Sequence, residues 1–406
     1  MPTPDTSPSI RFNARVARME PSATLAMKSR ASALRREGHP VVALSAGEPD
    51  FDTPTAIAEA GKQAIDEGFT NYTENPGMAS LRETIADKFE RDNALSYAPD
   101  QILCSNGAKQ SIALAIHVLC DEGDEVLIPA PYWVSYPEMT RFAGATPRAI
   151  STTPEQQYRL TPEQLDAAIT PDTRLLILCS PSNPTGSVYT RSELEALADV
   201  LRANDHVYVL SDEIYEHVVF DAEHTAVAAL PGLYERTITI NGFSKAFAMT
   251  GWRLGYMAGP TPIVSAAAKV QGQFTSAPSS ISQRAGQAAL TMDMQPVYDM
   301  VAAFRERRDY VLGRLNELPG VTCPTPEGAF YLFPNVSALF GTTAPNGTAI
   351  ESSNDLCMYL LEQHHVALVP GEAFGDPQGL RISYASSMHD LETALDRIAT
   401  GIEALS

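Results

Sequence analysis

Between Thr55 and Met292 the chain alternates helical patterns with short apolar runs, and this alternation limits its possible folds more than any other feature. The runs fall at Gln101–Cys104, Glu125–Ile128, Thr146–Ile150, Arg174–Leu178, Val207–Leu210, Thr237–Ile240 and Leu254–Ala258. Strands that alternate with helices in this way predict an α/β domain, with a mostly parallel seven-stranded sheet covered by helices. A ligand of such a sheet lies beyond the carboxyl ends of its strands. The residues just after each run therefore carry most of the functional information.

The flanks read differently. Residues 1–20 form a Pro- and Arg-dotted arm, after which Ser22 is expected to cap a helix over Ala23–Glu37 that Gly38 stops. The run Val41–Leu44 leads into AGEPDFDTP, where Gly47 either lets backbone approach a ligand or simply turns the chain. Past the sheet, Gln295–Leu318 reads as one long helix. GAFYLF (Gly328–Phe333), a helix at Asn354–His364, strands at Val366–Val369 and Leu380–Tyr384 and a helix near His389–Ala404 then give an α+β pattern. At 406 residues the chain exceeds one ordinary core. The expected division is 1–54 as an arm and helix packing with the small domain, 55–292 as the large ligand-binding domain, and 293–406 as the connecting helix and small C-terminal domain.

Composition narrows the classes of function. No apolar run approaches the roughly 18 residues that span a membrane, and the N-terminus lacks a signal peptide's apolar centre, so a cytoplasmic protein is expected. The five cysteines, Cys104, Cys120, Cys179, Cys323 and Cys357, have no close pair, which argues against zinc and redox motifs and suits a reducing compartment. Adjacent His364 and His365 lack the spacing of a helical metal site, and no metal is expected. A net charge of −20 argues against nucleic acid, which needs clustered positive charge. The same acidity suits either a high-salt habitat or an ordinary acidic enzyme. Neither G-x-G-x-x-G nor G-x-x-x-x-G-K-[ST] occurs, which disfavours a nucleotide-binding oxidoreductase.

The strand ends supply the chemistry. SNGAKQ (Ser105–Gln110) opens an apolar helix, so backbone at Gly107 and Ala108 can hold a phosphate, with the charge of Lys109 beside it. Trp133 in PAPYWVSYPE is either a stacking plate for a planar cofactor or part of the core. Asn183 in SPSNPTG aims an amide above the sheet or merely starts a turn. Asp212 follows Val207–Leu210 closely enough to be partly desolvated and so wants a cation, either a protonated pyridine or a protein group; Tyr215 adds a hydroxyl nearby. Lys245 is one of only six lysines, sits among small and apolar residues, and has the anion donors Ser244 and Arg253 close in sequence. An amine beside two such donors suggests covalent bonding to a phosphorylated carbonyl cofactor, and the whole set fits pyridoxal phosphate.

Long collinear motifs carry a more specific resemblance: PSATLA, AGEPDFDTP, NYTENPG, PYWVSYPEM, SPSNPTG, SDEIYEH, SKAFAMTGWRLGY and GLRISYA. Over nearly its whole length the chain resembles the fold-type I pyridoxal-phosphate aminotransferases of class I/II, within them the bacterial aspartate aminotransferases of the subgroup that includes aspartate/prephenate aminotransferases. The resemblance implies that Lys245 bonds the cofactor and moves the substrate Cα proton. It implies that Asp212 keeps the pyridine nitrogen protonated, that Asn183 and Tyr215 bond the ring oxygen, and that Trp133 stacks on the ring. Gly107, Ala108, Ser244 and Arg253 then hold the phosphate, joined by Tyr72 from a second subunit of a homodimer. Arg381 and Gly47 bind the substrate α-carboxylate. Lys109 and Thr24 meet the distal carboxylate, and Glu20 stands where relatives often have lysine. The implied reaction is ping-pong transfer of the amino group of aspartate to 2-oxoglutarate, with prephenate or aromatic acceptors as the alternative. A lyase on the same cofactor, or a non-catalytic regulator, are the remaining readings; the acidic charge and the lack of room for a DNA-binding module weigh against the regulator.

Overall fold

The computed structural model describes residues 12–20 and 23–406. Its centre is a seven-stranded sheet in the order Ile102–Ser105, Gly255–Ala258, Thr237–Gly242, Tyr208–Asp212, Thr173–Cys179, Glu125–Ala130, Thr146–Ser151. All seven expected strands are present, with ends shifted by one or two residues. Gly255–Ala258 runs antiparallel to both its neighbours, and the remaining adjacent pairs are parallel. Because of that reversal, Gly255 pairs with both Ser105 and Gly242, which puts the start of this strand at the carboxyl edge of the others. Arg253 precedes the strand and so reaches the same edge as residues that follow their strands.

Helices on both faces explain why the inner strands read as apolar runs rather than alternating ones. Thr237–Gly242 and Gly255–Ala258 are buried throughout, as is one edge strand, Ile102–Ser105, whereas the other edge strand, Thr146–Ser151, is largely exposed and carries Arg148, paired to Glu125 at 2.7 Å. A charge on an exposed edge discourages pairing with another chain. The covering helices bury one stripe each. In Arg191–Ala203 the buried residues are Leu194, Leu197, Ala198 and Leu201, at helical spacing, and Thr190 with Glu193 closes a capping box at its start.

The helix Ala23–Arg36 and the strand Val42–Ala43 join the C-terminal part of the chain. Val42–Ala43 pairs in parallel with Val366–Ala367, Arg30 meets Glu362 at 2.9 Å, and Arg397 donates to the Pro40 carbonyl at 2.7 Å. The expected cap Ser22 lies outside the described residues. Residues 12–20 pack the other way from the packing expected of the arm. Their short helix Ala14–Ala17 lies against Ser135–Ala143 in the sheet-bearing region, where the Glu138 carboxylate accepts the Glu20 backbone N–H at 2.8 Å. The single strand expected over Val366–Val369 is two short ones, Val366–Ala367 and Val369–Pro370. The first pairs with Val42–Ala43 and the second with Leu380–Ser383, so the chain changes sheets at Leu368. Among the described residues no helix is long and apolar enough to cross a membrane.

The long helix is Gln295–Asn316, and its fully buried Phe304 joins distant parts of the chain. The ring lies 5.4 Å from Phe51, 5.2 Å from Phe330 and 6.5 Å from Tyr384, centroid to centroid. Phe304→Ala removes all three contacts at once and leaves a cavity. We predict a loss of about 3–5 kcal/mol in stability, read from the shift of a urea unfolding curve; a loss below about 1 kcal/mol would show that the ring is not what joins these segments.

Candidate active site

A cavity of about 640 Å³ opens at the carboxyl edge of the sheet. Lys245, Asp212, Tyr215, Ala108, Trp133, Asn183, Ser244, Arg253, Gly47, Arg381, Lys109 and Thr24 all line it. Of the residues singled out from the sequence, Gly107 lies just behind the wall and Tyr72 stands apart, 99% exposed.

Asp212 ends the strand Tyr208–Asp212 and is 4% exposed. Tyr136 donates to its Oδ2 at 2.6 Å and the Ile214 N–H to its Oδ1 at 3.3 Å, so both hydrogen-bond partners are neutral. Burial pushes its pKa up to about 6, and the charge of Glu213 adds to the push; the two hydrogen bonds and the charge of Lys245 pull the other way. The carboxylate is poised to take a cation that the protein does not bond to it.

Lys245 follows the next strand, and its Nζ donates to the Gly47 carbonyl. The rings of Tyr215 and Phe330 lie 5.8 and 5.7 Å from the ammonium. Burial lowers its pKa to about 8, with the positive charges of Arg381 and Arg253 acting in the same direction and Glu48 and Asp212 opposing. A lysine so placed has a far larger neutral, nucleophilic fraction near physiological pH than an ordinary lysine.

Arg381 is 2% exposed, in the strand Leu380–Ser383. Its Nη1 donates to Asn183 Oδ1 at 3.0 Å and its Nη2 to the Ser45 carbonyl at 2.8 Å, while the buried Nε has no partner. The guanidinium is sandwiched by Tyr331 and Phe374, 4.6 and 5.0 Å from the ring centroids. Nη1 and Nη2 each use one N–H in these bonds and keep a second, so the buried guanidinium can receive a carboxylate.

The anion cradle is built by close backbone approach. Gly107 has φ +86, and a Cβ there would meet Arg253 Nη2 at 2.3 Å. A Cβ on Gly255 would lie 2.2 Å from the Ala108 nitrogen, so only glycine lets that strand touch the N-terminus of the helix Ala108–Leu119. Arg253 itself adopts a left-handed φ of 52, held by Nη1 to the Thr250 carbonyl at 3.0 Å and Nη2 to the Asn106 carbonyl at 3.2 Å. Lys109 sits at the mouth with its Nζ 4.9 Å from the Trp133 ring centroid, and desolvation, then the charge of Arg253, lower its pKa.

Several lining residues were not singled out from the sequence. Tyr136 bonds Asp212, and Tyr331 bonds Tyr215, hydroxyl to hydroxyl, at 2.9 Å. Both belong to motifs of the sequence, PYWVSYPEM and GAFYLF, where an aromatic bearing a hydroxyl beside a site residue is the signal that points to them. Glu48, Lys28 and Arg35 also line the cavity and had no distinguishing mark.

Comparison with known proteins now bears on this geometry: the family "Aminotransferase class I and II" matches residues 39–398. The chain belongs to that family. A bifunctional aspartate aminotransferase and glutamate/aspartate-prephenate aminotransferase of Petunia hybrida is 53% identical, over 96% of this chain and 82% of its own. An aspartate/prephenate aminotransferase of Cereibacter sphaeroides is 48% identical over 96% of this chain and 98% of its own. The crystal structure of an aspartate aminotransferase from Rhizobium meliloti superposes with a TM-score of 0.95 at 45% identity, covering 98% of this chain and 100% of that one. This member of the class I and II aminotransferases is thus an amino-group transferase with the α/β architecture of its family.

The lowered pKa of Lys245 is directly measurable. In the protein freed of any bound aldehyde, acylation of Lys245 followed by mass spectrometry should rise with a midpoint near pH 8, against about 10.4 for an ordinary lysine. Arg381→Leu removes a neighbouring positive charge and should move the midpoint upward. A midpoint near that of ordinary lysine in the unaltered protein would contradict the burial of this amine.

Proposed function

We propose that this aminotransferase moves the amino group of L-aspartate to 2-oxoglutarate by a ping-pong mechanism, with pyridoxal phosphate bound through Lys245. One observation carries the reading: a buried lysine amine shares one cavity with a buried carboxylate that no cation bonds and with a buried guanidinium that keeps a spare N–H. These are the complements of a protonated ring nitrogen, an aldehyde and a substrate carboxylate. The backbone at Gly107 and Ala108, with Ser244 and Arg253, suits the phosphate. Trp133 offers a face for stacking, and Asn183 and Tyr215 offer polar groups at the ring's edge.

When bound, pyridoxal phosphate supplies an aldehyde for the substrate amine and a protonated ring that draws electrons from the α-carbon. The protein supplies the rest. Asp212, ionised above pH about 6, holds a proton on the ring nitrogen. Arg381 takes the α-carboxylate through two N–H groups, with the Gly47 backbone beside it, and so orients the Cα–H bond toward Lys245. Lys245 Nζ, set free when the substrate amine takes its place and neutral above pH about 8, would take the proton from Cα and pass it to the carbon that bore the aldehyde. Lys109 and Thr24 meet the distal carboxylate of aspartate, glutamate or 2-oxoglutarate.

Prephenate is a second acceptor, since the relatives from Petunia hybrida and Cereibacter sphaeroides are named for it and the cavity of about 640 Å³ has room beyond a four-carbon diacid. We also propose a homodimer in which the partner's copy of Tyr72 reaches this phosphate site. The nearly complete exposure of Tyr72, and the exposure of Phe274 and Ile65 at 77% and 55%, suit burial against a second copy. Five free cysteines suit a reducing cytoplasm.

Assays of aspartate, glutamate and prephenate side by side test the substrate assignment, and turnover of none of them would end it. Lys109→Met should cut kcat/KM for aspartate about tenfold to a hundredfold and change activity on monocarboxylic amino acids far less; an equal loss on both would remove Lys109 from the distal carboxylate. In solution the protein should have twice the chain mass, and Tyr72→Phe should weaken cofactor binding; a monomer with unchanged affinity would refute the shared site.

A further inference from the structure

The turn that carries Asp212 and Tyr215 has a second, hidden side. Asp212 and Tyr215 face the cavity, whereas Glu213 and Glu216 point away from it and are also buried, at 1% and 6% exposure. Each finds a cationic or imidazole partner, Glu216 from a helix remote in sequence and Glu213 from 11 residues further along the chain. Lys88, from the helix Ala79–Asn93, pairs with Glu216, and Asn93 of the same helix ties the two together by accepting from Lys88 at 2.7 Å and donating to Glu216 at 3.1 Å. The His217 ring nitrogen lies 3.3 Å from the same carboxylate. Glu213 Oε2 meets the His224 Nε2 at 3.1 Å, and its Oε1 accepts from Ser211 Oγ at 2.7 Å and from the Val227 N–H at 3.2 Å. Glu213, Glu216 and His224 are close enough to resemble a metal site, but the Lys88 ammonium already occupies the Glu216 carboxylate.

Buried ion pairs of this kind add little net stability compared with well-packed apolar side chains, so stability alone does not account for two of them on one short turn. Their directional bonds do something else. They fix the turn from behind, through the helix Ala79–Asn93 and the segment around His224, while Tyr136 and Tyr331 fix it from the cavity side at 2.6 and 2.9 Å. The backbone reinforces this, with Glu213 N–H donating to the Ile240 carbonyl and Glu216 N–H to the Glu213 carbonyl, both at 2.9 Å. The next strand and its sequel, which ends in Lys245, are thereby tied to the same turn.

We propose that Lys88–Glu216 and His224–Glu213 are positioning residues, which hold the turn 212–215 so that the Asp212 carboxylate and Tyr215 hydroxyl keep their register against Lys245. This rests on the reading of the cavity as a pyridoxal-phosphate site. None of the four touches the cavity, so a purely structural role predicts that isosteric apolar replacement leaves the site intact. Positioning predicts that the fold survives and the site does not.

The test is the double variant Lys88→Met/Glu216→Leu, which removes both charges and keeps the volume. Its denaturation midpoint should equal or exceed that of the unaltered protein. The equilibrium dissociation constant for pyridoxal phosphate, measured by titrating the cofactor-free protein, should rise about tenfold to a hundredfold. After saturation with cofactor, kcat should fall by a similar factor while KM for the amino acid changes less than about twofold, because Arg381 and Lys109 are untouched. A folded double variant with unchanged affinity and kcat overturns the proposal. Should the double variant fail to fold, Asn93→Leu removes the tie between Lys88 and Glu216 and leaves every charge near Asp212 in place. Weakened affinity in that variant supports positioning, and unchanged affinity overturns it. Failure of the unaltered protein to bind pyridoxal phosphate would instead refute the function on which the proposal rests.

Discussion

Taking the Asp212 carboxylate out of water costs several kcal/mol unless a positive charge meets it, and the groups that bond it are only a phenol and an amide. The strand places it there because Tyr208–Asp212 lies in the middle of the sheet, flanked on both sides and covered by helices. Everything else at the carboxyl edge is consistent with an arriving cation that is part of a larger ligand. Lys245 stands one strand away with its charge weakened by burial and by Arg381, and the backbone cradle beside Arg253 offers the opposite polarity for a phosphate. The electrostatics are thus asymmetric, negative at one end of the cavity and positive at the other. That polarity suits a ligand with a protonated ring and an anionic tail.

That asymmetry depends on the reversed strand. Were Gly255–Ala258 parallel to its neighbours, Arg253 would sit at the opposite edge of the sheet and the cradle would lose the guanidinium that lies against Gly107. Glycine at 255 permits the close contact with Ala108, and glycine at 107 leaves room for the guanidinium. Two residues without side chains therefore decide where a third can put its charge.

Much of this was legible before any coordinates. The seven strands announced themselves because burial on both faces makes them continuous apolar runs, and residues following such runs are confined to one edge. Lys245 stood out because lysine is scarce in this chain and its neighbours are apolar. Other features were out of reach. The pairings of Tyr136 with Asp212 and of Tyr331 with Tyr215 join residues 76 and 116 positions apart, and no local pattern encodes them. The direction of Gly255–Ala258 depends on pairing partners rather than on its own residues. The packing of residues 12–20 on Ser135–Ala143 includes a hydrogen bond from a backbone N–H to Glu138, which leaves no trace in periodicity. At Leu368 a short apolar run serves two sheets, and a run read by itself shows no such break.

The central claim is that this edge holds one covalent carbonyl site, at Lys245. Incubating the protein with pyridoxal phosphate, reducing with borohydride and mapping the adduct by peptide mass spectrometry tests it most directly. The account predicts one stoichiometric phosphopyridoxyl group on Lys245, suppressed when Asp212 is changed to alanine. An adduct spread over the other lysines, or located at Lys109 in place of Lys245, would contradict it.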